Sequence, residues 1–230
     1  MAVPRLRLGL GWGPRTQVTG MPGHSDRVED HMARGIEHAT RAHRPLVRLL
    51  DVESAPLTAR PLYADGDPGP IVGALAQVPE VLRVTLPFIG TVLGPSSIPP
   101  RTKEVVVLRT SAVLACRYCV DAHTPVARDA GLTVGEVAAL RTSPVGEVAE
   151  VFTDPFEQAL LGWVDAVAAG GPGAVPDGPA EALAAVVDDH ALVELTLLVG
   201  ATMMLNRFCT ALRLPTSPET ITRLAQEGWS

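Results

Sequence analysis

The sequence predicts an all-α fold, a helical bundle with an internal duplication of a helix-turn-helix unit. Three observations carry that reading. Apolar residues recur at helical spacing along most of the chain, no segment sustains strict apolar–polar alternation between hairpin turns, and Pro and Gly fall where helices start and stop. Val105-Val106-Val107 is the one β-branched cluster that favours a strand, and its flanks are helical.

In chain order, residues 1–25 are rich in Gly, Pro and Arg without periodicity, and read as an extension that carries no chemistry. Ser25 to Arg44 reads as one surface helix: Ser25 suits its N-cap, and Val28, Met32, Ile36 and Ala39 form its apolar stripe. His31, His38 and His43 lie near its polar side, where solvated side chains are the expected state. Pro45 to Pro70 reads as an irregular lead-in with one short helical stretch. Ile71 to Leu93 should form two packed helices, with Pro79 and Pro87 placed to start or bend them. A helix opens near Pro100 and runs to about Ala115, and another runs from the cysteine motif to Gly131 as its C-cap. Thr133 and Glu136 have capping-box spacing for a short helix. Asp154 to Ala169, Pro179 to Asp188 and Leu192 to Met204 complete the set, with a Gly170–Gly173 linker after the first of them. The domain division expected is an N-terminal extension over 1–44 and one helical domain over 45–230.

A chain of 230 residues, 47% hydrophobic and 19% charged, is long enough to bury its own core without disulfides or metals. Net charge −6 has the wrong sign for a general phosphate-binding surface, so nucleic acid is not an expected partner. The basic residues are 18 Arg and one Lys, Lys103, which reads as compositional bias. The apolar run Leu195 to Leu205 is shorter than the ~18–20 residues that span a bilayer, so no membrane partner is expected either. Arg5 and Arg7 precede a stretch broken by Gly9, Gly11, Gly13 and Pro14, which does not read as a signal segment, and the expected location is cytoplasmic.

One internal match stands out. Glu104-Val105-Val106-Val107-Leu108, Cys116 to Cys119 and Pro125 align, at an offset of 90, with Glu194-Leu195-Thr196-Leu197-Leu198, Asn206 to Cys209 and Pro215. Asn206 then replaces Cys116 and Arg213 replaces His123, so chemistry would reside in the first copy. Cys209 reads as a structural remnant within the core.

The chemistry lies in Cys116-Arg117-Tyr118-Cys119-Val120-Asp121-Ala122-His123. On a helix, residues three apart share a face at about 5–6 Å, within reach of a disulfide. Cys119 and His123 are at i, i+4, where a protonated imidazole would stabilise a thiolate, and a helix N-terminus at the motif would add to that. A low-pKa thiol beside a resolving partner suits thiol–disulfide exchange and peroxide attack. Glu104 can join only if the chain reverses near Leu114 and Ala115, because a single straight helix would hold it about 18 Å from Cys116. Two reduced core thiols, or zinc held by Cys116, Cys119, His123 and a fourth ligand such as Cys209, are the competing readings.

Glu104-x11-Cys116-x-x-Cys119-x-x-x-His123, with Leu86-Pro87-Phe88, Ile98 to Glu104 and Met204 to Phe208 around it, resembles the carboxymuconolactone decarboxylase and alkylhydroperoxidase D-like superfamily over about Pro45 to Pro215. The resemblance implies an alkylhydroperoxidase D-like bundle, commonly a homo-oligomer and often a trimer. It further implies a thiol peroxidase or disulfide oxidoreductase in which Cys116 and Cys119 cycle between dithiol and disulfide, with Glu104 and His123 relaying protons. The substrate would be a hydroperoxide or another small molecule, the partner a thiol or dithiol reductant, and no cofactor is called for. Tyr118 departs from the pattern, since the best-studied hydroperoxidases have a second His there. Cofactor-free decarboxylation with His123 and Glu104 as acid and base, and a non-enzymatic oligomer that senses oxidation, are the alternatives.

Overall fold

The computed structural model describes residues 44–170 and 175–229. Contacts divide the chain into residues 1–42 and 43–230, and the description concerns the second unit. The expected Ser25–Arg44 helix with its three histidines lies outside the described residues but for Arg44, as do Gly171 to Gly173 of the linker.

Among the described residues every regular element is helical: α1 Pro70–Leu75, α2 Pro79–Leu93, α3 Pro100–Val113, α4 Arg117–Asp129, α5 Val134–Thr142, α6 Pro155–Ala169, α7 Asp177–Ala184, α8 Asp189–Leu212 and α9 Pro218–Gln226, with 3-10 turns at Arg60–Tyr63 and Val148–Val151. The all-α expectation holds, and most boundaries follow their punctuation. Pro70, Pro79, Pro100, Pro155 and Pro218 sit in the first turns of their helices, where a missing N–H costs nothing. Gly131, at φ +94°, closes α4. Its N–H donates to the Arg128 carbonyl and that of Leu132 to the Ala127 carbonyl, a Schellman ending. The capping box opens α5, with the Thr133 amide on Glu136 Oε2 at 2.7 Å and the Glu136 amide on Thr133 Oγ1 at 3.2 Å.

α3 is the hub. Everything from Val105 to Ser111 is buried, and the helix packs against α4, α5, α6 and α8. A helix enclosed on all sides has no polar face to keep, so the β-branched run Val105–Val107 is accepted because packing outweighs its weak helix propensity. Two buried cations fix the hub. Lys103 donates to the carbonyls of Val92 and Gly94 at the end of α2, at 3.0 and 2.6 Å, and pairs with Glu194 on α8. Arg109 is clasped by Asp165 of α6, Nε to Oδ1 at 2.5 Å and Nη2 to Oδ2 at 2.9 Å, and donates to the carbonyls of Leu140, Ser143 and Pro144.

The region aligned at offset 90 does not repeat the first. Glu194 to Leu212 belongs to a single helix, α8, of 24 residues, where Glu104 to Pro125 is helix, turn and helix. Its buried residues Leu195, Leu198, Val199, Thr202, Asn206 and Cys209 keep helical spacing throughout, so one unbroken stripe packs into the core and nothing forces a turn at Leu205. By length and composition α8 could cross a membrane, although the Leu195–Leu205 run alone could not; in the fold that stripe faces α3, α4 and α6.

Candidate active site

The site is created by a chain reversal. α3 ends at Val113, Ala115 takes a left-handed conformation at φ +52°, and the Cys116 amide reaches back to the Ser111 carbonyl at 3.0 Å. Cys116 is then the N-cap of α4, which doubles back along α3. The reversal falls where Glu104 required it. His123 on α4 meets Glu104 on α3 with Nδ1 2.9 Å from Oε2. A carboxylate partner selects the tautomer with the proton on Nδ1 and leaves Nε2 free as a base.

Cys119, one turn before His123, shares with it a cavity of about 80 Å3. Ile71 of α1, Leu93 of α2, Val107 and Ser111 of α3, Tyr118 and Ala122 of α4, and Thr202, Leu205 and Asn206 of α8 complete the walls. Cys116, fully buried, lies outside the lining, so the two cysteines differ in position: Cys119 faces the cavity and Cys116 stands behind it. Three larger surface clefts, of about 360, 370 and 650 Å3, contain neither cysteine nor histidine.

Two polar atoms in the cavity wall have no hydrogen-bond partner in the protein, Ser111 Oγ and Asn206 Oδ1. Both residues are buried, and a buried polar atom left unpaired costs about 1–3 kcal/mol. Asn206 is already oriented by its own amide, which donates from Nδ2 to the Thr202 carbonyl at 2.5 Å, so its acceptor is the open side.

The electrostatics differ from the sequence expectation, in which His123 would lower Cys119. The thiol held far below the ordinary range is Cys116, because the Cys119 and then the Cys209 thiols hydrogen-bond to it, against the opposing effect of burial. Its N-cap position places the positive end of α4 beside it as well. The hydrogen bond to Cys116, then that with Cys209 and burial, pushes Cys119 up, and the hydrogen bond to Cys116 is also the main cause that pushes Cys209 up to about 12. Tyr118 is pushed up by burial first and then by the thiols, so its hydroxyl stays protonated and available as a donor.

The sequence reading gave Cys209 only as a structural remnant or as a fourth zinc ligand. It is buried in the core as expected, yet it packs in one cluster with Cys116, Cys119, Ala74 and Leu214. The offset-90 alignment, which pairs Cys209 with Cys119, was the available signal. Among the described residues, no group of three or more His, Cys, Asp or Glu side chains is arranged to hold a metal ion.

The helical bundle that holds this site shares its fold with solved alkylhydroperoxidase AhpD-like proteins. Residues 79–149, which contain Glu104, Cys116, Cys119 and His123, match the model of the carboxymuconolactone decarboxylase family, and the resemblance read from the motif is thereby met. No curated protein sequence matches the chain. A protein of unknown function from Agrobacterium tumefaciens, proposed as the antioxidant defence protein AhpD, shares 27% identity over 63% of this chain and 95% of its own, with a TM-score of 0.56. An uncharacterised peroxidase-related protein from Ralstonia eutropha with an alkylhydroperoxidase AhpD core shares the fold at 17% identity over 77% and 95% of the two chains, TM-score 0.64. So does the debrominase Bmp8, solved with 2,3,4-tribromopyrrole, at 16% identity over 80% and 97%, TM-score 0.64.

Proposed function

We propose that the protein is a thiol-dependent peroxidase and disulfide oxidoreductase acting through Cys116, Cys119, His123 and Glu104. The observation that carries this reading is the placement of Cys119 and His123 on one small cavity, with Glu104 bound to His123 and Cys116 directly behind. A hydroperoxide enters with its O–O–H group toward Ser111 and Asn206, the two polar groups that await partners. His123 Nε2 takes the Cys119 proton while Glu104 holds the imidazolium that forms. The Cys119 thiolate attacks the terminal oxygen, the O–O bond breaks, and the alkoxide takes the proton from His123 and leaves as an alcohol. Cys116, already a thiolate, attacks the Cys119 sulfenic acid, and hydroxide leaves as the disulfide forms. A thiol or dithiol reductant returns the pair to the start.

The test is hydroperoxide-dependent consumption of a dithiol. Activity should vanish in Cys116→Ser and in Cys119→Ser, and Glu104→Gln should lower kcat by about 10²-fold, the usual scale of acid–base assistance. Activity surviving in both cysteine variants would remove the reading. The family match favours a second reading, decarboxylation with His123 and Glu104 as acid and base. That reaction needs no thiol pair, so activity on a lactone acid that withstands thiol alkylation would favour it.

A homo-oligomer belongs to the first reading. α2 and α8, which pack on each other, leave Val81, Val84 and Phe88, and Val193, Leu197 and Met204, exposed at helical spacing. Leu197→Glu should shift the sedimenting species to a smaller one, and an unchanged species would exclude this face.

A further inference from the structure

Cys209 lies outside the segment that matches the family, is buried, and does not line the cavity. No substrate or bulk reductant reaches it, so any chemistry it has must be with its neighbours. Those neighbours are Cys116 and Cys119: the three cysteines pack in one buried cluster with Ala74 and Leu214. The C-terminal end of α8 holds Cys209 there. Arg213 turns left-handed at φ +55°, and the Leu214 amide donates back to the Cys209 carbonyl at 3.0 Å, which anchors the last turn against Leu214, Ala74 and the N-terminus of α4.

We infer that Cys209 is a third redox-active thiol, which accepts the disulfide from Cys119 by exchange and returns Cys119 to the cavity as a free thiol. The inference rests on the proposed peroxidase reading for the origin of the first disulfide, with a hydroperoxide as oxidant. The exchange itself needs no further oxidant. Cys209, as a thiolate, attacks Cys116 Sγ; the Cys116–Cys119 bond breaks and the Cys116–Cys209 bond forms. Cys119 leaves with the electron pair and takes up the proton that Cys209 gave away, with His123 beside it to pass that proton on. The number of disulfides is unchanged, but the oxidised pair is now one that neither substrate nor reductant can touch. Order in space supports the direction: Cys119 at the cavity, then Cys116 and Cys209 behind it, so oxidation moves from the wall inward.

The sequence makes the test unusually clean, because Arg109, Arg117, Arg128, Arg207 and Arg213 place the three cysteines on separate tryptic peptides, 110–117, 118–128 and 208–213. Fully reduced full-length protein is oxidised with one equivalent of an alkyl hydroperoxide or, in a parallel arm, of diamide. It is then quenched in acid, alkylated and mapped without reduction. Peptide 110–117 should appear joined to 208–213 in about a tenth or more of the oxidised protein, the share expected if the alternative disulfides differ tenfold in stability. In that fraction Cys119 is alkylated. A Cys116–Cys119 link in both arms, with Cys209 always reduced, overturns the inference and leaves the peroxidase reading standing. A link to Cys209 with diamide but no disulfide with hydroperoxide removes the peroxidase reading and leaves the third redox thiol. Loss of the link on unfolding in urea before oxidation shows that the fold, and not chance pairing, makes it; persistence at the same level overturns the inference.

Discussion

At the scale of single residues, the site separates two properties that one thiol cannot combine. Access belongs to Cys119, which lines the cavity, and negative charge belongs to Cys116, which does not. With Cys116 lowered, the reduced protein at neutral pH should show ultraviolet thiolate absorbance of about one equivalent, in contrast to the near-zero value expected of free cysteines with pKa ~8.5. Lowering the pH toward the depressed Cys116 value removes the signal, and Cys116→Ser should abolish it. A full thiolate signal in that variant would show that the charge sits elsewhere. Which thiol bears the charge was not legible in the sequence. The i, i+4 spacing pointed to Cys119 through His123, but Cys116 is lowered first by the Cys119 thiol and then by the Cys209 thiol, 93 positions beyond it, which no local spacing announces. The Glu104–His123 contact was legible, because the spacing left only one geometry in which both could act, and that geometry is the one found.

Local signals placed the helices well where a specific side chain or a proline sets the boundary. The capping box of α5 is the clearest instance, and it doubles as an electrostatic joint. Burial raises Glu136, but the Arg101 guanidinium, joined by the amide and hydroxyl of Thr133, outweighs it and holds the carboxyl at about 2. A depressed carboxyl stabilises the fold above its unfolded value near 4.5, and the contribution fades as the pH falls from there toward 2. Thr133→Ala should cost ~1 kcal/mol in urea unfolding at neutral pH, and Glu136→Gln should destabilise at neutral pH but converge with the parent near pH 2. A constant difference across that range would mean that the ion pair with Arg101 contributes nothing. The turn at Ala115 carries no such signal. Alanine is a poor left-handed residue, and its conformation is imposed by the packing of α4 on α3, so only the distance argument for Glu104 anticipated it. The reverse error occurred at α8, where sequence similarity to a helix-turn-helix was read as shape. The match is real as letters, but an unbroken buried stripe keeps Asp189–Leu212 straight through the place where its counterpart turns.

The whole molecule is organised around α3, whose two buried cations tie it to different neighbours. Asp165 accepts both forks of the Arg109 guanidinium and also the Gly146 amide at 2.7 Å, so one carboxylate joins α3, α6 and the segment after α5. Asp165→Asn leaves the guanidinium buried without its counter-charge and should destabilise the protein by ~3–5 kcal/mol in chemical denaturation; a loss under ~1 kcal/mol would place the guanidinium in water. None of this was visible in composition, where Arg109 is one arginine among 18. Lys103 is more telling still. The chain's single lysine is enclosed at the junction of α2, α3 and α8, so the folded protein offers no lysine amine to solvent in spite of its 19 basic residues. Acylation of that amine can proceed only as fast as the junction opens, which makes Lys103 a built-in reporter: its rate of modification by an amine-reactive ester reads the opening of the hub itself, with no engineered label and no competing lysine to correct for.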